Sequence, residues 1–328
     1  MIRRRDFLRV SGAGASALLG LGADRATAEP PPETKKLTLA LTTSICQAPQ
    51  YVAEPLLKAE GFTEVRYAPG VGAEAHALAQ GELDLTLTFA APVLLRIDAG
   101  DPVILLGGGH IGCIELFGNP RVSAIRDLKG KTVLVYSDPA HVLLAIAMAH
   151  VGLDLRKDVT LIRRGPADAI SAFEKGEVDA MAVAPPVAQE MRARKLGRVI
   201  VDTAKDRPWS QYFCCMMVGN REFVRKHPVA TKRAMRAILK STDLCALEPD
   251  RAARTLVDRG FATRYEYAAQ TMRELPYRAW RDYVPEDTVR FYALRLHEAG
   301  LIKSSPQKIL AQGADWRFLN ELKKELKA

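Results

Sequence analysis

Two stretches of this chain repeat one another. Ala75–Pro92 reads AHALAQGELDLTLTFAAP and Ala169–Pro186 reads AISAFEKGEVDAMAVAPP. At an offset of 95 residues, Ala77, Gly81, Glu82 and Asp84 meet Ala172, Gly176, Glu177 and Asp179, and Gly70 meets Gly165. Further upstream the register drifts. Leu37–Ser44 (LTLALTTS) and Lys131–Asp138 (KTVLVYSD) are still both strand-like runs ending in small polar residues. Each copy reads strand, loop, helix, strand, short helix, strand. The longer helices, about 48–60 and 139–151, end at Gly61 and Gly152, where a left-handed cap is expected. The shorter ones, about 73–80 and 167–175, end at Gly81 and Gly176. The runs that follow, LDLTLTFA and VDAMAVAP, are apolar enough for buried parallel strands. Strands alternating with helices impose a parallel sheet with crossovers. The repeat therefore predicts two similar α/β units, about 37–92 and 131–186, set as two lobes facing each other.

The remainder of the chain is organised around this pair. From Asn220 onward it reads as helix after helix, with apolar residues such as Phe223, Met235, Ile238, Leu239 and Leu244 at spacings of three and four. No stretch is rich enough in Gly or Ser to be an interdomain linker. The helices are expected to pack on the first lobe, so that the chain crosses between lobes twice. The expected organisation is lobe one (first part) over 37–125, lobe two over 126–210, and a return to lobe one with C-terminal helices over 211–328. Residues 29–36 (EPPPETKK) read as a Pro-rich charged linker.

Residues 1–28 carry an export signal in three parts. A basic start contains Arg4-Arg5-Asp6-Phe7-Leu8-Arg9, and a glycine-diluted apolar run follows from Val10 to about Ala23. The exit is Ala26-Thr27-Ala28, an A-x-A pattern. The apolar run is too short for a bilayer, which needs about 20 residues. The start resembles the twin-arginine pattern (S/T)-R-R-x-F-L-K and departs from it mildly at Arg3 and Arg9. A twin-arginine leader implies export in the folded state through its translocase, cleavage after about Ala28 and a periplasmic location.

Charge and cysteines narrow the function classes. The chain has 328 residues and a formal net charge of +9. Arg3, Arg4, Arg5, Arg9 and Arg25 against Asp6 and Asp24 give the leader +3 of this, leaving +6. That excess forms no basic and aromatic stripe, so no nucleic-acid partner is expected. The five cysteines, Cys46, Cys113, Cys214, Cys215 and Cys245, are odd in number and match no metal-ligand spacing. Folding before export means folding in a reducing compartment, so no disulfide framework is expected. Cys214 and Cys215 are adjacent. In a strand they would point to opposite faces, and they read as small buried hydrophobes.

Several motifs together resemble the solute-binding proteins of ABC importers, in particular the group for nitrate, sulfonates, taurine and thiamine-pyrimidine precursors. The motifs are the leader, the A-x-x-x-G-E-x-D of both units, the strand lead-in Asp127–Val133 (DLKGKTV) and Asn220–Pro228 (NREFVRKHP). The resemblance covers the chain after the leader nearly end to end. It implies the type II periplasmic-binding-protein fold and a ligand cleft between the lobes. It also implies a small polar or anionic solute of the sulfonate, nitrate or pyrimidine-precursor class. The partners implied are a permease with its ATPase, and the protein itself is expected to be a monomer without cofactor. Thiamine-pyrimidine synthases share this fold and carry a Cys-rich run. This chain has only Cys214-Cys215 before Met216-Met217 in the comparable place. A ligand-sensing partner of a membrane receptor is the other alternative.

In such a fold ligands sit beyond the carboxyl ends of parallel strands. The candidate positions are Ser44, Ile45, Cys46 and Gln47 after the first strand, Phe89 and Ala90 after the third, Ser137 and Asp138 with His141 in the equivalent turn of lobe two, and Ala184 at the end of the last repeat strand. Trp209–Phe213, with Tyr212, offers an aromatic wall. Ser44 and Ser137 are equally helix N-cap candidates. His141, His76 and His110 read as core-edge or surface positions. Gly107-Gly108-Gly109 reads as a hinge or loop, and Arg163-Arg164 as a solvated strand end. No G-x-S-x-G, H-E-x-x-H, phosphate loop or dinucleotide fingerprint is present. Glu82 and Asp84 recur in the second copy, which argues for a structural role in the helix-to-strand turn. No catalysis and no metal is expected.

Overall fold

The computed structural model describes residues 29–42, 44–69 and 73–327. Residues 1–28, expected to be an export leader, and Gly70 of the repeat lie outside these residues. Among them, ten strands form two five-stranded sheets. The first sheet contains β1 (Lys36–Leu41), β2 (Glu64–Pro69), β3 (Leu85–Phe89), β4 (Val103–Ile111) and β10 (Phe213–Asn220). The second contains β5 (Glu115–Gly118), β6 (Lys131–Val135), β7 (Val159–Arg163), β8 (Ala180–Val183) and β9 (Arg198–Asp202). Their orders are β2-β1-β3-β10-β4 and β7-β6-β8-β5-β9. These orders are equivalent. In each sheet the repeat supplies three parallel strands, and a fourth runs antiparallel beside the third, β10 in one and β5 in the other. This is the two-lobed α/β architecture of type II periplasmic binding proteins.

The repeated acid has the same structural task in both lobes. Asp84 accepts from the Thr38 amide of β1 at 2.7 Å, and Asp179 from the Thr132 amide of β6 at 3.0 Å. The return bonds, Asp84 N–H to Thr38 C=O and Asp179 N–H to Thr132 C=O, are 2.9 and 2.8 Å. Each acid thus joins the strand it opens to the first strand of its unit. The glycines before them, Gly81 and Gly176, both have φ of 74°, a left-handed conformation that glycine adopts at little cost.

Several expected boundaries move. The first crossing lies at 112–114, because β5 already belongs to the second sheet, and not near residue 125, where the expected end of this part of lobe one falls. The segment 29–36 is not a free linker throughout. Lys36 opens β1, and the Glu33 carboxylate accepts from the Val229 and Ala230 amides at 2.9 and 2.8 Å. Glu33 thereby satisfies orphan donors at the start of the helix Pro228–Leu247. The helix expected over 48–60 is two, Ala48–Val52 and Glu54–Ala59. Pro55 has no N–H to offer the Tyr51 carbonyl, and Arg259 donates to that carbonyl instead, at 2.7 Å.

Gly107-Gly108-Gly109 is neither hinge nor loop but the buried middle of β4. A Cβ at Gly108 would lie 2.2 Å from the Phe213 ring, and one at Gly109 would lie 3.0 Å from the Cys215 carbonyl oxygen. These glycines let β10 lie close against β4. The helices after β10 pack on the first sheet, with Leu105 of β4 bridged to Ala314. No helix among the described residues is long and apolar enough to cross a membrane.

Candidate functional site

The carboxyl ends of β1 and β3 face those of β6 and β8 across a cleft. Its walls come from both lobes. Thr42, Ser44, Cys46, Gln47, Glu74, Thr88 and Phe89 lie on one side. Tyr136, Ser137, Pro139, Pro166 and Ala184 lie on the other. Cys113 and Ile114 of the first crossing and Cys215 of β10 complete the lining. The enclosed cavity is about 50 Å³, while pockets for organic ligands usually start near ~300 Å³. The cleft itself is thus narrow for an organic solute in this arrangement of the lobes.

The loop after β1 is held by two buried side chains. Gln50 donates to the Ala40 carbonyl at 2.8 Å and to Gln47 Oε1 at 3.2 Å, and its own Oε1 accepts from Thr86 Oγ1 and the Leu87 amide. The Tyr51 hydroxyl accepts from the Thr42 amide at 3.0 Å. In lobe two the Tyr136 hydroxyl accepts from the Ala184 amide at 2.7 Å, which fixes both residues against the cleft. Burial raises the Tyr136 hydroxyl pKa above its ordinary value, so it stays protonated.

The cleft brings together Ser44, Cys46, Gln47, Phe89, Ser137 and Ala184 of the expected positions. Ser137 also caps the helix Asp138–His150, accepting from the Ala140 amide at 3.3 Å. Ser44 makes no capping bond, and its hydroxyl oxygen lies 3.1 Å from Cys46 Sγ. Ile45 is buried beside the cleft, and its amide donates across the lobes to the Pro185 carbonyl at 3.1 Å. Ala90 sits in the core at the start of the helix Ala90–Asp98.

The other expected positions lie elsewhere. Asp138 pairs with Arg163 at 2.9 Å and, with His141, lines an adjoining groove of about 320 Å³ that shares Glu74 and Pro139 with the cleft. Burial and the nearby Arg163 lower the His141 pKa. The Trp209–Phe213 segment turns away from the cleft. Tyr212 stacks on Phe291 at 4.0 Å, Trp209 meets the edge of Phe291, and Phe213 covers Gly108. The helix Pro285–Glu298 supplies the ring that draws Tyr212 outward.

The floor of the cleft holds what the spacing of residues concealed. Cys46, Cys113 and Cys215 place their sulfurs, and His110 a ring nitrogen, all within 4.8 Å of one another. All four residues are buried. Cys214 Sγ lies 3.2 Å from Cys113 Sγ. The cause lies in two of the three register shifts between β10 and β4. Phe213 pairs with Ile111, Cys215 with His110, and Met216 with Gly108. Cys214 is thus an extra residue on β10 and Gly109 an extra residue on β4. Such bulges re-aim side chains, and the simple alternation expected for Cys214 and Cys215 fails here. His110 is fully buried, not at a core edge. The Cys113 and Cys215 thiols beside Cys46 outweigh its burial and hold its pKa well below the usual thiol range. Cys113 and Cys215 are pushed up, first by contact with Cys214 and with Cys113 respectively. The only short-range hint of this cluster in the sequence is His110-x-x-Cys113; Cys46 and Cys215 come from distant segments.

A family described as NMT1/THI5 like matches residues 58–252. A binding protein of Brucella abortus is 24% identical over 181 residues, which cover 55% of this chain and 56% of that relative. The matched stretch thus spans little more than half the length of such relatives. Among solved structures, the alkanesulfonate-binding protein SsuA of Xanthomonas axonopodis pv. citri is 19% identical. It covers 88% of this chain and 99% of its own, with a TM-score of 0.70. The periplasmic nitrate-binding protein NrtA of Synechocystis PCC 6803 is 14% identical, covering 91% of this chain and 90% of its own, with a TM-score of 0.75. The desulfurization enzyme DszB is 17% identical, covering 89% of this chain and 99% of its own, with a TM-score of 0.63. Likeness this remote establishes architecture and leaves ligand and chemistry to the residues of the cleft. The chain belongs to the NMT1/THI5-like family, built on the type II periplasmic-binding-protein fold.

Proposed function

We propose that this protein is an exported solute-binding protein that delivers a small molecule to the permease of an ABC importer. The observation that carries the reading is the cleft at the carboxyl ends of β1, β3, β6 and β8, lined from both lobes and small as it stands for an organic solute. Binding would then be coupled to opening and closing, which is what a permease could sense. The SsuA and NrtA likenesses support the same role. The resemblance of residues 1–28 to a twin-arginine leader supports periplasmic delivery of a prefolded protein.

The lining narrows the solute. No Lys or Arg side chain lines the cleft among the described residues, while Glu74 and several thiols do. A sulfonate or nitrate would leave its charge without a cationic partner. Of the expected classes the pyrimidine type fits best, as an uncharged molecule with donors for Glu74, Thr88 and Gln47. A thermal-shift panel of sulfonates, nitrate, aromatic carboxylates and pyrimidines, combined with small-angle scattering, tests this. An uncharged or cationic compound is expected to raise the melting temperature and to change the radius of gyration. Stabilisation by sulfonates alone would overturn the ligand class. Turnover of pyridoxal phosphate by the purified protein would overturn the binding role in favour of a synthase.

A further inference from the structure

We infer that the floor of the cleft is a metal site for a soft or borderline d10 cation, Zn²⁺ or Cu⁺, held by Cys46, Cys113, Cys215 and His110. The inference rests on the cleft being where this protein takes its solute, and it sets the ion beside the uncharged organic class as a second candidate for that solute. Three sulfurs and one imidazole nitrogen is a donor set that suits zinc in closed tetrahedral sites, and thiolate-rich sets select Cu⁺ and zinc over hard cations.

Three independent features point the same way. The first is distance. The four donor atoms lie within 4.8 Å of one another. A tetrahedral ion with metal–sulfur bonds of about 2.3 Å spaces its sulfurs by about 3.8 Å. Small rotations of side chains already gathered would close the site.

The second is the protonation of His110. Its Nδ1 lies 3.1 and 3.2 Å from the carbonyl oxygens of Ile111 and Gly112. Carbonyls only accept, so Nδ1 carries the proton and donates. In the neutral ring Nε2 then presents its lone pair. It is buried and has no hydrogen-bond partner among the described residues. Leaving a polar atom in that state is costly unless something binds it. A backbone carbonyl holding the far N–H of an imidazole is also the usual support of a metal-ligating histidine. The Tyr277 ring meets His110 edge-on at 5.5 Å and fixes its plane.

The third is access. Cys46, Cys113 and Cys215 line the cleft, so an ion reaches them from solvent when the lobes part. The Ser44 hydroxyl, 3.1 Å from Cys46 Sγ, is placed to donate to a thiolate there. Binding displaces the thiol protons to solvent and needs no oxidant or reductant.

The test uses the full chain, kept reduced and titrated with Co²⁺ as a spectroscopic stand-in. Wild type is expected to take one equivalent, with the intense visible absorption of a tetrahedral thiolate-rich cobalt site, bleached on adding Zn²⁺. Cys46→Ser, Cys215→Ser and His110→Ala are each expected to lower Co²⁺ affinity by 100-fold or more. Cys245→Ala, outside the cluster, should leave it unchanged. Circular dichroism identifies any variant that fails to fold, and Cys46→Ser, in the loop after β1, is the least disruptive. No tetrahedral band in the wild type, or an undiminished band in Cys46→Ser and Cys215→Ser, overturns the site. Scattering on the same samples tests the transport reading separately. A band with compaction supports both. A band without compaction supports the metal site and counts against the ion as the carried solute.

Discussion

At the scale of single residues, Asp84 and Asp179 share a task but not an electrostatic setting. Burial raises the Asp84 pKa despite its bonds to Thr38. At Asp179 burial acts in the same direction, but bonds from Thr132, Asn119 and Arg121 outweigh it and lower the pKa. The signs for stability are therefore opposite. Asp179 contributes stability above its unfolded pKa, about 3.9, and loses it as pH falls through the lower folded value. Asp84 is disfavoured as an anion in the folded state, and that penalty fades as pH falls through its raised folded value. Asp179→Asn is expected to cost about 1–2 kcal/mol at pH 7. Asp84→Asn keeps an acceptor for the Thr38 amide and should stay within about 0.5 kcal/mol of wild type. Urea midpoints at pH 7 and near pH 3 check this, and the gap between the variants should narrow in acid. The structural role of these acids was legible from their recurrence. The cysteine cluster was not, because beyond the short spacing of His110 and Cys113 nothing brings Cys46 and Cys215 near them before the first sheet forms, and the bulge at Cys214 defeats the alternation rule.

At the scale of elements, the repeat announced the three parallel strands of each sheet, but not the antiparallel fourth. β5 and β10 lie outside the repeated segments, and their places depend on where the chain crosses. The crossing itself is closed by Thr203, just after β9. Its hydroxyl accepts from the Cys113 and Ile114 amides at 3.1 and 3.0 Å and donates to the Ile114 carbonyl at 2.7 Å. Gly112 permits the approach. Its φ is 42°, and a Cβ there would lie 2.2 Å from the Ala204 backbone. Thr203→Val keeps the shape and strands two buried amides, each costing about 1–3 kcal/mol when unpaired. A loss of about 2–4 kcal/mol in chemical unfolding is expected. Thr203→Ser, which keeps the hydroxyl, should lose about 1 kcal/mol, near the value of a buried methyl group. Equal losses for the two would show that packing, and not the hydrogen bonds, holds the crossing together.

At the scale of the whole molecule, function depends on how firmly the lobes stay closed. Among the described residues, the polar contacts between the lobes include two beside the cleft. One is the backbone bond from Ile45 to Pro185. The other joins the helix Val187–Ala193 of lobe two to the helix Tyr265–Glu274 on the first lobe. There Gln189 Nε2 donates to Glu274 Oε2 at 3.1 Å, and Arg192 pairs with the same carboxylate while also pairing with Glu115. Removing the Glu274 charge leaves Arg192 with Glu115, so lobe two keeps its own structure and the loss falls on the contact between lobes. Because the Glu274 side chain is 38% exposed, this contact should be worth only about 0.5–1 kcal/mol. Glu274→Gln is then expected to shift the closed-to-open ratio by about 2- to 5-fold. Solute affinity should fall by a similar factor, because ligand binding must supply the closure energy that the contact no longer provides. Scattering should report a larger radius of gyration for the variant without ligand, with its melting temperature little changed. An unchanged radius with unchanged affinity would mean that the Ile45–Pro185 bond and the apolar walls close the cleft without Glu274.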